Sequence, residues 1–173
     1  FTLVVPTLLW ANLGNLYVWI AIGVTVGFGA IGFVDDLLKV RRRRNQGLSA
    51  RAKFLLQVGV ATLAGSLLRV MPIEGAFAPT LTFPFFKDLI LNLGILYVPF
   101  VVFVLVGASN AVNLTDGLDG LAIGATLIAA ATYAVFTYVA GNRVVAQYLQ
   151  VAYVPGVGEV TVFCGALVGA SLV

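Results

Sequence analysis

Between two apolar runs, near residues 93–112 and 120–140, the chain reads Asn110-Ala111-Val112-Asn113-Leu114-Thr115-Asp116-Gly117-Leu118-Asp119-Gly120. Each flanking run has about the 20 residues that a helix needs to cross the hydrocarbon core. Two carboxylates and two carboxamides therefore sit where polar groups are costly and tend to carry function. Further apolar runs lie near 1–11, 16–38, 54–70 and 158–173. Hydrophobic residues make up 61% of the chain and charged ones 10%, against about 45–50% and about 25% in soluble domains. Lipid-exposed strands would need a closed barrel, and these runs lack the alternation of barrel strands. The expected fold is therefore all-α: a polytopic transmembrane bundle of about six spans, the first and last partial, forming a single transmembrane domain over 1–173.

Both ends of the chain fall inside apolar runs, so the sequence reads as an internal piece of a larger polytopic domain with no cleavable leader. Cys164 is the single cysteine and lies in the last run, where a packed thiol is the expected role. The segment 71–92 carries Pro72, Pro79 and Pro84 among Thr80, Leu81, Thr82 and Phe83. That composition predicts a short hairpin or an irregular cap.

Lys39, Arg41, Arg42, Arg43, Arg44, Arg51 and Lys53 hold most of the chain's ten cations. Short cationic loops stay cytoplasmic. Alternation then puts 39–53 and 110–119 on the cytoplasmic side, and 71–92 and 141–157 outside. The Arg41–Arg44 run is a topology anchor at anionic headgroups, worth about 1 kcal/mol per cation, and also suits a funnel for a polyanionic substrate.

Gly27-Phe28-Gly29-Ala30-Ile31-Gly32 matches a dinucleotide pattern, but no strand precedes it. Gly23/Gly27, Gly120/Gly124 and Gly165/Gly169 instead have the spacing that lets helices approach closely. Asn113-Leu114-Thr115 fits a glycosylation acceptor on the wrong side of the membrane for that modification.

Asp35 and Asp36 end an apolar run. Adjacent helical residues point about 100° apart, and Asp35 can pair with Lys39 at i,i+4. Asp36 is then left unpaired at the negative end of the helix dipole. In the second motif, Asn110, Asn113, Asp116 and Asp119 recur every three residues, and Asp119 also suits an N-cap for the following helix. The chain has no histidine, so only oxygen ligands remain for a cation. They favour magnesium, held by carboxylates together with substrate phosphates. Carboxylates, magnesium and nearby Lys/Arg suit phosphoryl or pyrophosphoryl transfer between a lipid and a soluble nucleotide.

Gly32-Phe33-Val34-Asp35-Asp36-Leu37-Leu38-Lys39, Gly47-Leu48-Ser49-Ala50-Arg51-Ala52-Lys53 and Asn110 to Ala122 together resemble the bacterial phospho-N-acetylmuramoyl-pentapeptide transferases, within the superfamily of polyprenyl-phosphate sugar-phosphate transferases. The resemblance runs over essentially the whole chain and covers about the middle half of a family member. It implies transfer of phospho-MurNAc-pentapeptide from UDP-MurNAc-pentapeptide to undecaprenyl phosphate in the bacterial cytoplasmic (inner) membrane, giving lipid I and UMP. Membrane lipids are the further partners it implies, nucleic acid is not one, and it leaves room for a homodimer.

By motif position, Asp35, Asp36 and Asp116 are implied as catalytic, with Asp35 as base or nucleophile. Lys39, Lys53, Asn110, Asn113 and Asp119 are implied as substrate-binding. The cofactor implied is magnesium, whose family aspartate would lie beyond Val173 together with a histidine-rich loop. A GlcNAc-1-phosphate transferase shares the aspartate motifs in outline, although the segment 47–53 favours the muramoyl branch. An ion-coupled transporter would want acids near the midplane, whereas these cluster at helix ends. A helical scaffold would tolerate Asp116→Asn. The isolated 173-residue piece is expected to show no magnesium-dependent UMP release; measurable turnover by it would overturn the assignment of missing residues.

Overall fold

The computed structural model describes residues 2–42, 47–70, 79–83, 86–115 and 120–172. Seven α-helices are present among them: α1 (Val4–Trp10), α2 (Leu16–Arg42), α3 (Ala50–Val70), α4 (Tyr97–Thr115), α5 (Leu121–Gly141), α6 (Arg143–Leu149) and α7 (Val160–Ser171). Four helical stretches have the length and apolarity to cross a membrane: Leu16–Arg41, Ala50–Val70, Gly94–Thr115 and Leu121–Gly141. The all-α membrane architecture expected from the apolar runs is therefore present. The expected partial first and last spans correspond to the short helices α1 and α7. Phe33, Leu55, Phe103 and Ile128 are exposed on the long helices, which in water would be an aggregating surface and in a bilayer is the lipid-compatible one.

Two elements depart from the sequence reading. Helix α2 does not stop at Leu38 but carries Lys39 to Arg42 within its last turns, and α3 begins at Ala50. At about 1.5 Å per residue, the 27 residues of α2 exceed the hydrocarbon thickness, so its basic end can remain helical outside the apolar layer. Residues 141–157, expected as a loop, contain α6. Its start is legible in retrospect: Asn142 is the N-cap, and its side chain accepts from the N–H groups of Val144 (3.1 Å) and Val145 (3.2 Å).

The chain forms two compact units. One contains the described residues of Phe1–Ile22 and Ala111–Val173. Its buried centre is Ala11, Val18 and Ile22, against which Val4, Leu8 and Val162 pack. The Thr137 and Thr161 hydroxyls meet at 2.9 Å between α5 and α7. Gly141 lies so close to the backbone of Gly158 that a Cβ would overlap it. The Asn12 N–H donates to Glu159 Oε2 at 2.9 Å, and Asn15 Nδ2 donates to the Gly156 carbonyl at 2.7 Å. The N-cap position of α5 is Gly120, with φ 84° and no side-chain cap. The N-cap reading of Asp119 falls on a residue outside the described ones.

The other unit holds the described residues of Gly23–Pro72 and Ala76–Asn110. Strands β1 (Thr80–Phe83) and β2 (Phe86–Asn92) pair antiparallel, with Thr80 opposite Asn92, Leu81 opposite Leu91 and Thr82 opposite Ile90. Of the two forms expected for 71–92, the hairpin is the one that forms; residues 71–78 lie outside the described set. Gly27 lets α2 approach α3, since a Cβ there would stand 2.9 Å from Val60 Cγ1. Gly65, which the sequence reading did not single out, does the same for α3 against Val101 of α4. Gly23, Gly124, Gly165 and Gly169 meet no neighbour within 4 Å, and at these positions, as at Gly120, the expected close helix approach is not found among the described residues.

Gly27→Val in this chain should press a branched side chain into Val60 and lower stability by about 1–3 kcal/mol, the cost of overpacking. Gly23→Val, one turn earlier, should leave it unchanged. Unfolding midpoints in detergent compare the two, and equal shifts would contradict the packing.

Candidate functional site: a shared lysine and a clamped carboxylate

The segment Gly47-Leu48-Ser49 is arranged by what each residue lacks or offers. Ser49 stands just before α3, and its Oγ accepts from the Ala52 N–H at 3.2 Å, satisfying one of the donors that a helix start leaves free. One residue earlier, the Leu48 N–H points at α2 and donates to Asp35 Oδ1 at 2.7 Å. Gly47 comes so close to Asp35 that a Cβ would overlap the carboxylate and stand 2.7 Å from the Asp35 carbonyl oxygen. Only a residue without a side chain fits there.

The other carboxylate oxygen faces cations. Asp35 Oδ2 is 2.9 Å from Lys39 Nζ and 3.9 Å from Lys53 Nζ. Lys39 lies one turn further along α2, and Lys53 projects from the first turn of α3. Asp35, whose side chain is 10% exposed, thus has both oxygens engaged by groups from three local segments. A buried carboxylate needs such partners to remain charged.

Asp36 is not left unpaired, contrary to the sequence reading. Lys39 Nζ donates to Asp36 Oδ1 at 3.0 Å while also meeting Asp35. Adjacent carboxylates diverge around the helix, but the long lysine side chain at i+4 from one is at i+3 from the other. Asp36 remains 75% exposed, and among the described residues its second oxygen has no partner. An ammonium carries three donors. The two carboxylates take two of them, which leaves Lys39 one for an incoming oxyanion.

The second motif is only partly described. Asn110, on α4, donates through Nδ2 to Gln57 Oε1 at 2.9 Å and to the Val106 carbonyl at 2.8 Å. Asn113 is exposed in the last turn of α4. Asp116 and Asp119 lie outside the described residues, as do Arg43 and Arg44. The structure therefore brings together Asp35, Asp36, Lys39 and Lys53, and separately joins Asn110 to Gln57. Sequence reasoning missed Gly47, the Leu48 N–H and Gln57. A carboxamide inside the apolar run of α3 was a signal for the last of these.

Among the described residues no three His, Cys, Asp or Glu side chains group as a metal site. Of the two aspartates in this cluster, Asp36 is the one with an oxygen open to a cation. That fits a magnesium held by one or two carboxylates and by substrate phosphates, and not a closed protein cage.

The asymmetry between the two aspartates has a measurable consequence in this chain. Asp35→Asn deprives Leu48, Lys39 and Lys53 of a charged acceptor and should cost about 1–3 kcal/mol. Asp36→Asn, on an exposed residue, should leave the unfolding midpoint unchanged. The reverse order in detergent unfolding would refute the clamp.

A profile for glycosyl transferase family 4 matches residues 18–172. A phospho-N-acetylmuramoyl-pentapeptide-transferase of Nitratidesulfovibrio vulgaris is 59% identical over 172 residues, 99% of this chain and 47% of the relative. Proteins of the same name from Oleidesulfovibrio alaskensis and Citrifermentans bemidjiense are 54% and 53% identical over 172 and 170 residues, again 47% of each relative. The chain spans about half the length of the curated relatives it matches. The Asp35–Lys39 cluster and the Asn110 segment both fall inside the matched region, and the chain belongs to glycosyl transferase family 4.

Proposed function

We propose that the full-length protein transfers phospho-MurNAc-pentapeptide from UDP-MurNAc-pentapeptide to undecaprenyl phosphate in the bacterial inner membrane, as a multi-pass enzyme whose active face is cytoplasmic. An oxygen of the lipid phosphate attacks the sugar-bearing phosphorus. The bond to the UMP phosphate breaks, and UMP leaves with the bonding pair, giving lipid I. The observation that carries this reading is the single lysine held between two carboxylates near the end of a membrane-length helix. A lipid phosphate can reach such a position from the headgroup layer, and the relatives' name supplies the donor.

The roles divide by exposure. Asp35 holds Lys39, Lys53 and the Leu48 backbone in place, and its occupied oxygens make it a poor proton acceptor. Asp36, with an open oxygen, is the better candidate to take a proton from the acceptor phosphate. This reverses the division implied by the resemblance, in which Asp35 is base or nucleophile. Lys39 and Lys53 offset phosphate charge. Asp116, Asp119 and Asn113 are proposed to line the nucleotide and sugar-phosphate pocket with Asn110. Magnesium, when bound, would neutralise the diphosphate, with Asp36 as one ligand or neighbour.

Release of UMP by the full-length protein should require both undecaprenyl phosphate and UDP-MurNAc-pentapeptide, stop on chelation and return with added magnesium. UDP-GlcNAc should fail as donor; efficient use of it would favour the GlcNAc-1-phosphate branch. Asp36→Asn should lower kcat by about 10²-fold or more, the usual scale for loss of a proton-transfer group.

A further inference from the structure

Gln57 is 3% exposed, deep in the apolar face of α3, and lies one helical turn from Lys53. The two therefore share a face, with Lys53 directed at Asp35 and Gln57 at α4. A buried carboxamide is tolerated only when its polar atoms are matched. Here Oε1 accepts from Asn110 Nδ2 at 2.9 Å, and Nε2 faces Ser109 Oγ at 3.4 Å.

The direction of this chain is fixed at one end by a group that cannot be turned around. The Val106 carbonyl only accepts, so the Asn110 atom 2.8 Å from it is the nitrogen. The Gln57 atom facing that nitrogen is then the oxygen, and its own nitrogen turns to Ser109. Both protons of the Asn110 amide are consumed inside the bundle. Asn110 Oδ1 has no hydrogen-bond partner among the described residues. Oδ1 is therefore the atom of this carboxamide left to meet another group.

We infer that Gln57 is a positioning residue, which locks the Asn110 carboxamide with Oδ1 outward as a dedicated acceptor for an N–H or O–H of the bound nucleotide-sugar donor. This rests on the proposed transferase reading, because it assigns the outward oxygen to that substrate. Without Gln57, the Asn110 side chain would have one anchor in place of two, and its nitrogen and oxygen would compete for the outward position. The effect should fall on donor binding, since the acceptor oxygen meets the substrate before and during reaction alike.

The test is a double-mutant cycle in the full-length protein, with Gln57→Met, Asn110→Ala and the pair, reading KM for UDP-MurNAc-pentapeptide and kcat at saturating undecaprenyl phosphate. Gln57→Met should raise the donor KM about tenfold, the scale of one hydrogen bond, with kcat within about threefold. The pair should match Asn110→Ala alone, because a residue acting through another adds nothing once the other is gone. Additive effects, or an unchanged donor KM for Gln57→Met, would overturn the inference. Gln57→Glu, which keeps an oxygen facing Asn110 Nδ2, should hold the donor KM within about threefold. A tenfold rise there would also overturn it, and this variant decides the matter if Gln57→Met does not fold. Failure of the unsubstituted protein to release UMP would sink the transferase reading and this inference with it. Turnover with an additive cycle would sink the inference alone.

Discussion

A charged carboxylate near the end of a membrane-length helix must be matched on every side, and Asp35 shows how many parts of the chain that requirement recruits. One oxygen takes the Leu48 backbone N–H. The other takes Lys39 from its own helix and, at longer range, Lys53 from α3. Gly47 has to give up a side chain so that the loop can come close enough, and Ser49 starts α3 at the right place. The result is a fixed negative centre with cations on one side and main chain on the other. Its energetic logic is that of a buried ion pair, where the penalty of an unmatched charge exceeds the gain of any single contact.

Because Asp35 is so fully occupied, the open oxygen of the pair lies on its neighbour. Asp36 shares only Lys39 and keeps an oxygen open. Two adjacent residues of one type thus fall into different environments merely because a helix turns about 100° between them. One is buried among its partners and the other is exposed. Lys39 couples the two, so that an anion arriving at the exposed side meets an ammonium already held in position.

Helix α3 extends the same order into the apolar layer. Lys53 and Gln57 lie a turn apart, the first tied to the acidic pair and the second to Asn110. Polar side chains within a span are costly unless paired, and here the pairing also orients the carboxamide of Asn110. Close contacts at Gly27 and Gly65 set the spacing of the helices that carry these groups.

The sequence by itself determined the helical membrane class, the positions of the apolar runs and the candidate residues Asp35, Asp36, Lys39, Lys53 and Asn110, because apolar length and polar interruption are local properties. It also allowed the Asp35–Lys39 pair, a contact one turn long. What it could not reach was non-local. That Lys39 serves both aspartates depends on side-chain reach in three dimensions. That Gly47 and the Leu48 N–H close on Asp35 depends on how the chain returns after α2. That Gln57 faces Asn110 across 53 positions depends on the packing of α3 against α4. The start of α6 was local and readable from its cap, yet its polar surroundings resembled a loop. Tertiary structure alone decided which of two identical carboxylates is buried, since burial is a property of neighbours that only the folded chain supplies.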